Sequence, residues 1–533
     1  MMTRTRRLAH RPVFLLCLTA FLTSFVVQSG ELGSSDTAHR LQAAHSFWTS
    51  EPPVFPDEYP EFGIHGRNGK LYGWYDIGQS LLMLPSDVVG TYLEQLPAFA
   101  DYEDDPSVRA IVVSYSTSTL VCVLTILVCF RFLRRLRFTI NQALAGALAL
   151  LFCTTFLHYT QNMMENNYIM LLTLTGLTFQ YEWLRSGSPR ALLIGSCALG
   201  LNLLTRLTTG MELLAVGLFL LLALWWERVG GRALWLRFVA YMKVAAPVYA
   251  LFVLIDRAYQ YYRFGSFFNT YIQIYGEEQK RLNPGLPAKF PFETPFHVGF
   301  LGPLITPEKS IFLFDPLLVL TAIIAVLLWR RFSSEIRAYL IAFALLLFAC
   351  ISFYATYTDW SGDFAWGDRY VSTEVQLAVL LSVPLLLRHR KEVSRHMWAA
   401  AMIVIAVSVL VQLASVMFWC PLEIYQMDTL GHPTCVVYLR FKNIVAFALA
   451  KMDRWDLVND SMKADPWDYV HISTYNFLPF LLKRTGQAAP WVVKTSYAVW
   501  AAALAALLAL LSFLSKHDFC SQLDEPREVG LPG

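Results

Sequence analysis

Apolar residues fall in long runs, separated in turn by short arginine-rich segments and by long segments rich in proline, glycine and aromatics. A helix needs roughly 20 apolar residues to cross the hydrocarbon core, because no backbone group there finds water to bond. Twelve runs approach that length. The first spans 11–28, the second 108–130 and the third 139–157. The fourth to seventh lead to Arg185, Arg206, Arg228 and Asp256, and the eighth runs from Lys309 to Arg330. The ninth reaches Tyr357, the tenth Arg388 and the eleventh Phe418, and the twelfth covers 491–514. Every second connection is short and basic, as in Arg131–Arg137, Arg330–Arg337 and Arg388–Arg395. Positive residues stay on the cytoplasmic side. The pattern therefore predicts an all-α polytopic membrane protein of about 12 transmembrane helices, with both termini cytoplasmic.

The long segments then lie outside: a first outer loop over 30–107, a second over 257–309 and a third over 419–490. The expected organisation is one integral membrane domain over 1–533. It has a first helix within 1–29, a transmembrane core over 108–418, a last helix over 491–514 and a cytoplasmic tail over 515–533. The basic start and short apolar core of the first run also fit a signal peptide, but no small-residue cleavage site follows, which favours an uncleaved anchor. No internal repeat of the kind found in many transporters is visible.

Composition agrees. The chain is 56% hydrophobic and 16% charged, which excludes an ordinary soluble domain. A net charge of +3 without a basic patch excludes nucleic acid as a partner. The nine cysteines form no metal-binding spacing, and only Cys420 and Cys435 share an outer loop where a disulfide is an option. His39 and His45 are not one helical turn apart, so they do not pair as metal ligands. Neither a phosphate-binding glycine loop nor a nucleophile elbow is present.

Chemistry is therefore sought where ionisable residues meet the outer ends of the helices, since hydrocarbon does not solvate charge. Asp36 follows the first run directly. Ala38, Leu41, Ala44 and Trp48 recur after it at helical spacing, predicting a short helix on the membrane surface that Asp36, with Ser34 and Ser35, would cap. Asp76 lies in the aromatic stretch 72–85, and an acidic cluster fills 101–105. Glu165 sits in a short outer turn, Arg206 ends the fifth run and Lys309 starts the eighth. Asp359, Asp363, Asp368 and Arg369 share the stretch 358–370 with Trp360, Trp366 and Tyr370. The arginines and the lysine could equally be interfacial anchors, and the aromatics part of an interfacial belt.

In this order the features resemble the C-type membrane glycosyltransferases, in particular their protein-mannosyltransferase and aminoarabinose-transferase-like branch of family 39-like bacterial members. The resemblance is carried by Ser35-Asp36, by the stretches 72–85, 262–271 and 306–316, and by Trp360-Ser-Gly-Asp-Phe-Ala-Trp-Gly-Asp-Arg-Tyr370. The last is similar to a Trp-Gly-Gly…Trp-Gly-Pro-Arg-Tyr pattern. Two departures stand out: a single acid where the family often has two, and Asp368 in place of proline. The resemblance implies an inverting transfer of a sugar from a polyprenyl-phosphate donor to a glycan, lipid or protein acceptor on the outer face. A bacterial inner membrane, with its lipids as surroundings, is the simplest setting.

On that reading Asp36 takes the acceptor's proton, and Glu165 orients the acceptor or helps hold a divalent ion such as Mg or Mn. Lys309, Arg369 and Arg206 hold the donor phosphate. Tyr72, Tyr75, Asp76, Trp366 and Asp363 line the substrate site. The competing expectations are a transporter or flippase of lipid-linked sugars, and a polysaccharide polymerase or ligase.

Overall fold

The computed structural model describes residues 2–56, 62–99, 102 and 106–517. Asp101 and 103–105 of the acidic cluster lie outside these residues, as does most of the expected cytoplasmic tail.

The molecule is helical. Among the described residues the strands amount to one short antiparallel pair, Ile64–His65 with Leu71–Tyr72, in the first long loop. Six helices are long and apolar enough to cross a bilayer: Val108–Arg135, Leu207–Trp226, Gly231–Phe264, Ser334–Tyr354, Arg395–Ser415 and Pro490–Lys516. Shorter apolar helices cover Arg11–Val27, Ile140–Cys153, Pro189–Leu203 and Phe296–Ile305. This is a helical integral membrane protein.

Breaks within several of the predicted runs leave shorter apolar helices beside the six long ones. The third stops at Cys153, where Thr154 is extended, and resumes at Phe156. The eighth is cut at Asp315-Pro316: proline lacks a backbone donor and drives the residue before it out of helical geometry, and Asp315 has φ −128° and ψ 71°. The tenth divides into Ser372–Val379 and Ser382–Arg388 just ahead of Pro384. The Asn166–Ser186 helix carries Thr173, Thr178 and Gln180 fully buried, so protein rather than lipid surrounds it. By contrast, Gly231–Phe264 and Pro490–Lys516 bury only 6% of their apolar windows and lie at the rim.

The basic connections meet at one end of the helix array. Arg131 reaches Glu182 at 2.7 Å, Arg185 reaches Glu227 at 2.6 Å and Glu335 at 3.1 Å, and Arg331 reaches Glu392 at 3.3 Å. Arg388 donates to the Leu136 carbonyl at 3.3 Å and lies over the Phe138 ring. The long segments pack on one another elsewhere. His471 of the third loop meets Glu31 of the first at 2.5 Å, and Leu478 N–H donates to the Gln28 carbonyl at 3.0 Å.

Two elements differ from expectation. The helix after the first run spans Ser35–His45, and Ser34, not Asp36, caps it by accepting from Thr37 N–H. Its buried face is Thr37, Arg40, Leu41, Ala44 and His45, so it packs into protein and buries a cation. Ala38 is exposed and Trp48 lies beyond the helix end. Cys420 and Cys435 are not joined. Cys420 Sγ instead contacts the Phe364 carbonyl at 3.1 Å and His158 at 3.5 Å.

Candidate active site

Two glycines bring the first loop against the bundle. Gly33 has φ +80°, and a Cβ there would stand 2.5 Å from Asn162 Cα. Only glycine fits at that approach, and it lets the Ser35–His45 helix dock beside the turn carrying Glu165. Thr37 Oγ1 seals the contact on the Met163 carbonyl at 2.5 Å. At Gly78, whose N–H donates to the Leu204 carbonyl at 2.6 Å, a Cβ would meet Thr205 Oγ1 at 2.5 Å. That contact sets Tyr75 and Asp76 beside Arg206.

Arg369 arrives from the far side. Asn166 Nδ2 donates to the Arg369 carbonyl at 2.6 Å and to Ser372 Oγ at 2.8 Å. The loop before it is shaped by Lys309, whose ammonium donates to the carbonyls of Asp363 at 2.5 Å, Ala365 at 3.0 Å and Gly367 at 3.4 Å.

These segments line an open cleft. Asp36, Arg40, Glu165, Arg206 and Arg369 form one charged wall. Arg369 Nη1 binds Asp36 Oδ2 at 2.7 Å, and the Tyr75 hydroxyl donates to Asp36 Oδ1 at 2.6 Å. Glu165 faces Arg40 at 3.0 Å and Arg206 at 3.7 Å. The guanidiniums also lie over aromatic faces, Arg40 on Tyr75 at 4.0 Å and both Arg206 and Arg369 on Tyr370 at 5.8 and 5.2 Å. Such stacking fixes their planes. Trp74, Tyr275 and Tyr357 line the same cleft with Asp76, Asp359 and Asp363. A second cavity adjoins the first and shares Asp36, Asp363 and Arg369 with it, adding Glu31, Phe364 and Trp419.

Electrostatics separates the acids. Burial pushes the Asp36 carboxyl up, but Arg369, Arg40 and the Tyr75 hydroxyl outweigh it and bring it down to about 2. Glu165 is likewise lowered, its burial outweighed by Arg40, Arg206 and Arg369. Both are fixed anions. Burial and the neighbouring Asp363 raise Asp359 to about 6, against the opposing pull of Arg369. Asp76 rises to about 7, through burial first and the charge of Asp256 second.

The structure thus gathers Asp36, Glu165, Arg206, Arg369, Tyr75, Asp76 and Asp363 around one cleft. It does not bring Lys309, Trp366 or Tyr72 to its lining. Lys309 is 1% exposed and its protons face the three carbonyls, which corrects its expected place on the donor phosphate. Trp366 is buried edge-on to Phe314 at 5.0 Å, with Arg440 over its ring at 5.1 Å. Tyr72 packs on Tyr262 and Phe264. Sequence reasoning missed the role of Arg40, although its spacing from Asp36 puts both on one helix face.

No known family's sequence pattern matches the chain, and no curated protein does. Among solved structures it is similar to ArnT from Cupriavidus metallidurans bound to undecaprenyl phosphate. That match has 16% identity and a TM-score of 0.42 over 94% of this chain and 76% of that one. The apo state of the same protein gives 17% and 0.43 over 95% and 78%. The archaeal oligosaccharyltransferase AglB from Archaeoglobus fulgidus, in complex with an inhibitory peptide and a dolichol-phosphate, gives 12% and 0.46 over 84% of this chain. The chain spans 60% of the AglB chain's length. Likeness at these identities and scores transfers no residue role, and the site rests on its own geometry.

Proposed function

We propose that the protein is an inverting glycosyltransferase that takes a sugar from a polyprenyl-phosphate donor on the outer face of the membrane. One observation carries this reading. Three guanidiniums from three separate chain regions, Arg40, Arg206 and Arg369, converge on one cleft, fixed by two ionised carboxylates and stacked tyrosines. Preorganised cations of this kind stabilise a phosphate both bound and leaving. ArnT and AglB, solved with undecaprenyl phosphate and a dolichol-phosphate, are in keeping with such a donor, but the cleft bears the weight.

The aromatic and acidic part of the lining suits a sugar. Trp74, Tyr275 and Tyr357 offer ring faces, and Asp359 and Asp363 accept from hydroxyl groups. The adjoining cavity, reached past Asp36 and Arg369, would admit the acceptor. Asp363 and Trp419 line it, together with Glu31, which His471 holds. The acceptor oxygen attacks the anomeric carbon as the bond to the phosphate oxygen breaks, inverting that centre, and its proton passes to Asp36, which lines both cavities. The polyprenyl phosphate leaves bound to the arginines.

A divalent ion does not fit this donor set. Both Asp36 oxygens and both Glu165 oxygens face tyrosine or arginine donors, and no group of three or more potential ligands occurs among the described residues. The test is sugar transfer in membranes, with wild type against Arg369→Ala. Formation of a glycosidic bond by wild type, and its loss in folded Arg369→Ala, supports the reading. Movement of the intact carrier across sealed vesicles without bond formation would replace it with transport.

A further inference from the structure

The Val436–Ala448 helix of the third long segment has the reverse of the polarity that water selects. A helix facing water turns its polar residues outward and its apolar stripe toward the core. Here Arg440 and Asn443 are fully buried, beside Leu439 and Ala446. The outward side carries Tyr438, Phe441 and Val445, continued by Leu449 just past the helix end. These four recur three or four residues apart, the spacing of a single face, and all are between 37% and 57% exposed. Arg440 and Lys442 are the charged residues of this helix. Lys442 borders the stripe, and its ammonium donates to the Trp455 carbonyl at 3.4 Å.

The polar groups are spent inward. Arg440 donates to both oxygens of Glu423 at 2.6 Å and to the carbonyls of Ser415 at 2.9 Å and Phe418 at 3.0 Å. Asn443 donates to Glu423 at 2.8 Å and to Gln426 at 2.9 Å. Ser415 ends the Arg395–Ser415 helix, which is apolar and long enough to cross a bilayer. Val411 of that helix packs with Val436 and Leu439, so the short helix is fastened to the end of a spanning one. Leu410 and Leu413 of the spanning helix are themselves exposed, and apolar surface therefore accompanies both elements where they meet.

We infer that the Val436–Ala448 helix lies in the membrane interface and that phospholipid covers its outward face. At about 1.5 Å per residue its 13 residues reach about 20 Å, short of the roughly 30 Å hydrocarbon core, so it rests in the bilayer surface and does not cross it. Tyr438, Phe441, Val445 and Leu449 enter the acyl chains. Lys442 and, past the helix end, Lys451 reach back to the headgroup phosphates. Left in water, the four side chains would be a contiguous apolar patch. In lipid they cost nothing, because every polar group of the helix's other face is bonded within the protein. The contact also bears on the second cavity. Arg440 donates to the carbonyl of Trp419, which lines that cavity, at 3.1 Å, so the bilayer helps to seat the segment that carries Trp419.

The experiment places the photoreactive p-benzoylphenylalanine in turn at Phe441, at Val445 and, as a control, at Asp428, which is exposed on the neighbouring Leu422–Leu430 helix. The full-length protein is reconstituted in vesicles of phosphatidylethanolamine and phosphatidylglycerol bearing a fluorescent acyl chain, and then illuminated. The expected result is fluorescent lipid attached to the protein from Phe441 and Val445 and none from Asp428. Cross-linking to a second copy of the chain, or equal labelling from all three positions, would overturn the inference. So would absence of lipid adducts from both stripe positions. A second measurement uses Phe441→Ser/Val445→Ser in the same vesicles. A lowered melting temperature is expected, because lipid penalises the hydroxyls, and an unchanged one would mean that the face meets water. Neither readout involves sugar transfer, so failure here leaves the glycosyltransferase reading standing.

Discussion

Arg369 does two things at once: it neutralises Asp36 and faces the cleft that the donor phosphate would fill. Removing it strands a largely buried carboxylate, and breaking such a pair costs more than the pair contributes. Arg369→Ala should therefore lose both carrier binding and stability, whereas Arg369→Lys should keep stability and lose affinity, since an ammonium does not reproduce the planar fork. Isothermal binding of polyprenyl phosphate and thermal unfolding in detergent separate the two effects. The same pair sets a pH dependence. The carboxyl of Asp36 is brought down to about 2 from an ordinary 3.8, so its stabilisation is present above about 4 and disappears as pH falls from about 4 to 2. The contribution is about 2 kcal/mol, and Asp36→Asn should flatten the unfolding curve over that window. Lys309 gives the opposite test. With its ammonium spent on the carbonyls of Asp363, Ala365 and Gly367, Lys309→Met should lower the melting temperature and leave the donor KM of the folded protein near the wild-type value.

Among elements, the Ser35–His45 helix shows how much of the site was legible. The acid after the first run and the helix behind it were readable from spacing, and so was the grouping of Glu165, Arg206 and Arg369 at helix ends. The identity of the buried face was not. Leu41 and Ala44 suggest a membrane-surface helix, but Arg40 is buried because Glu165, far away in sequence, waits for it at 3.0 Å. Periodicity carries no information about a partner in another turn. Lys309 and Trp366 misled for a related reason: a lysine or tryptophan in a motif looks the same whether it faces a ligand or braces the loop that does. The breaks at Thr154 and Pro316 were not legible, because hydropathy alone reads those runs as continuous. The docking of this helix is testable at Gly33. Gly33→Ala forces a Cβ against Asn162 at a positive φ and should cost about 1–3 kcal/mol, read as a lower melting temperature. Ala at the open, positive-φ Gly69 is the control, carrying the backbone cost without the clash.

For the whole molecule, the membrane helices are a frame, and the segments that connect them carry the reactive groups. Three segments, 30–107, 158–167 and 358–370, supply the charged wall together with Arg206 at the end of the fifth run. The most direct test of the central claim is glycosidic-bond formation by the full-length protein in proteoliposomes supplied with a polyprenyl-phosphate sugar and an acceptor extract. Wild type is compared with a folded Arg206→Ala/Arg369→Ala double variant. The account predicts product and released polyprenyl phosphate from wild type, and neither from the variant. Equal product from both proteins, or passage of uncleaved carrier across the bilayer in its place, would contradict it.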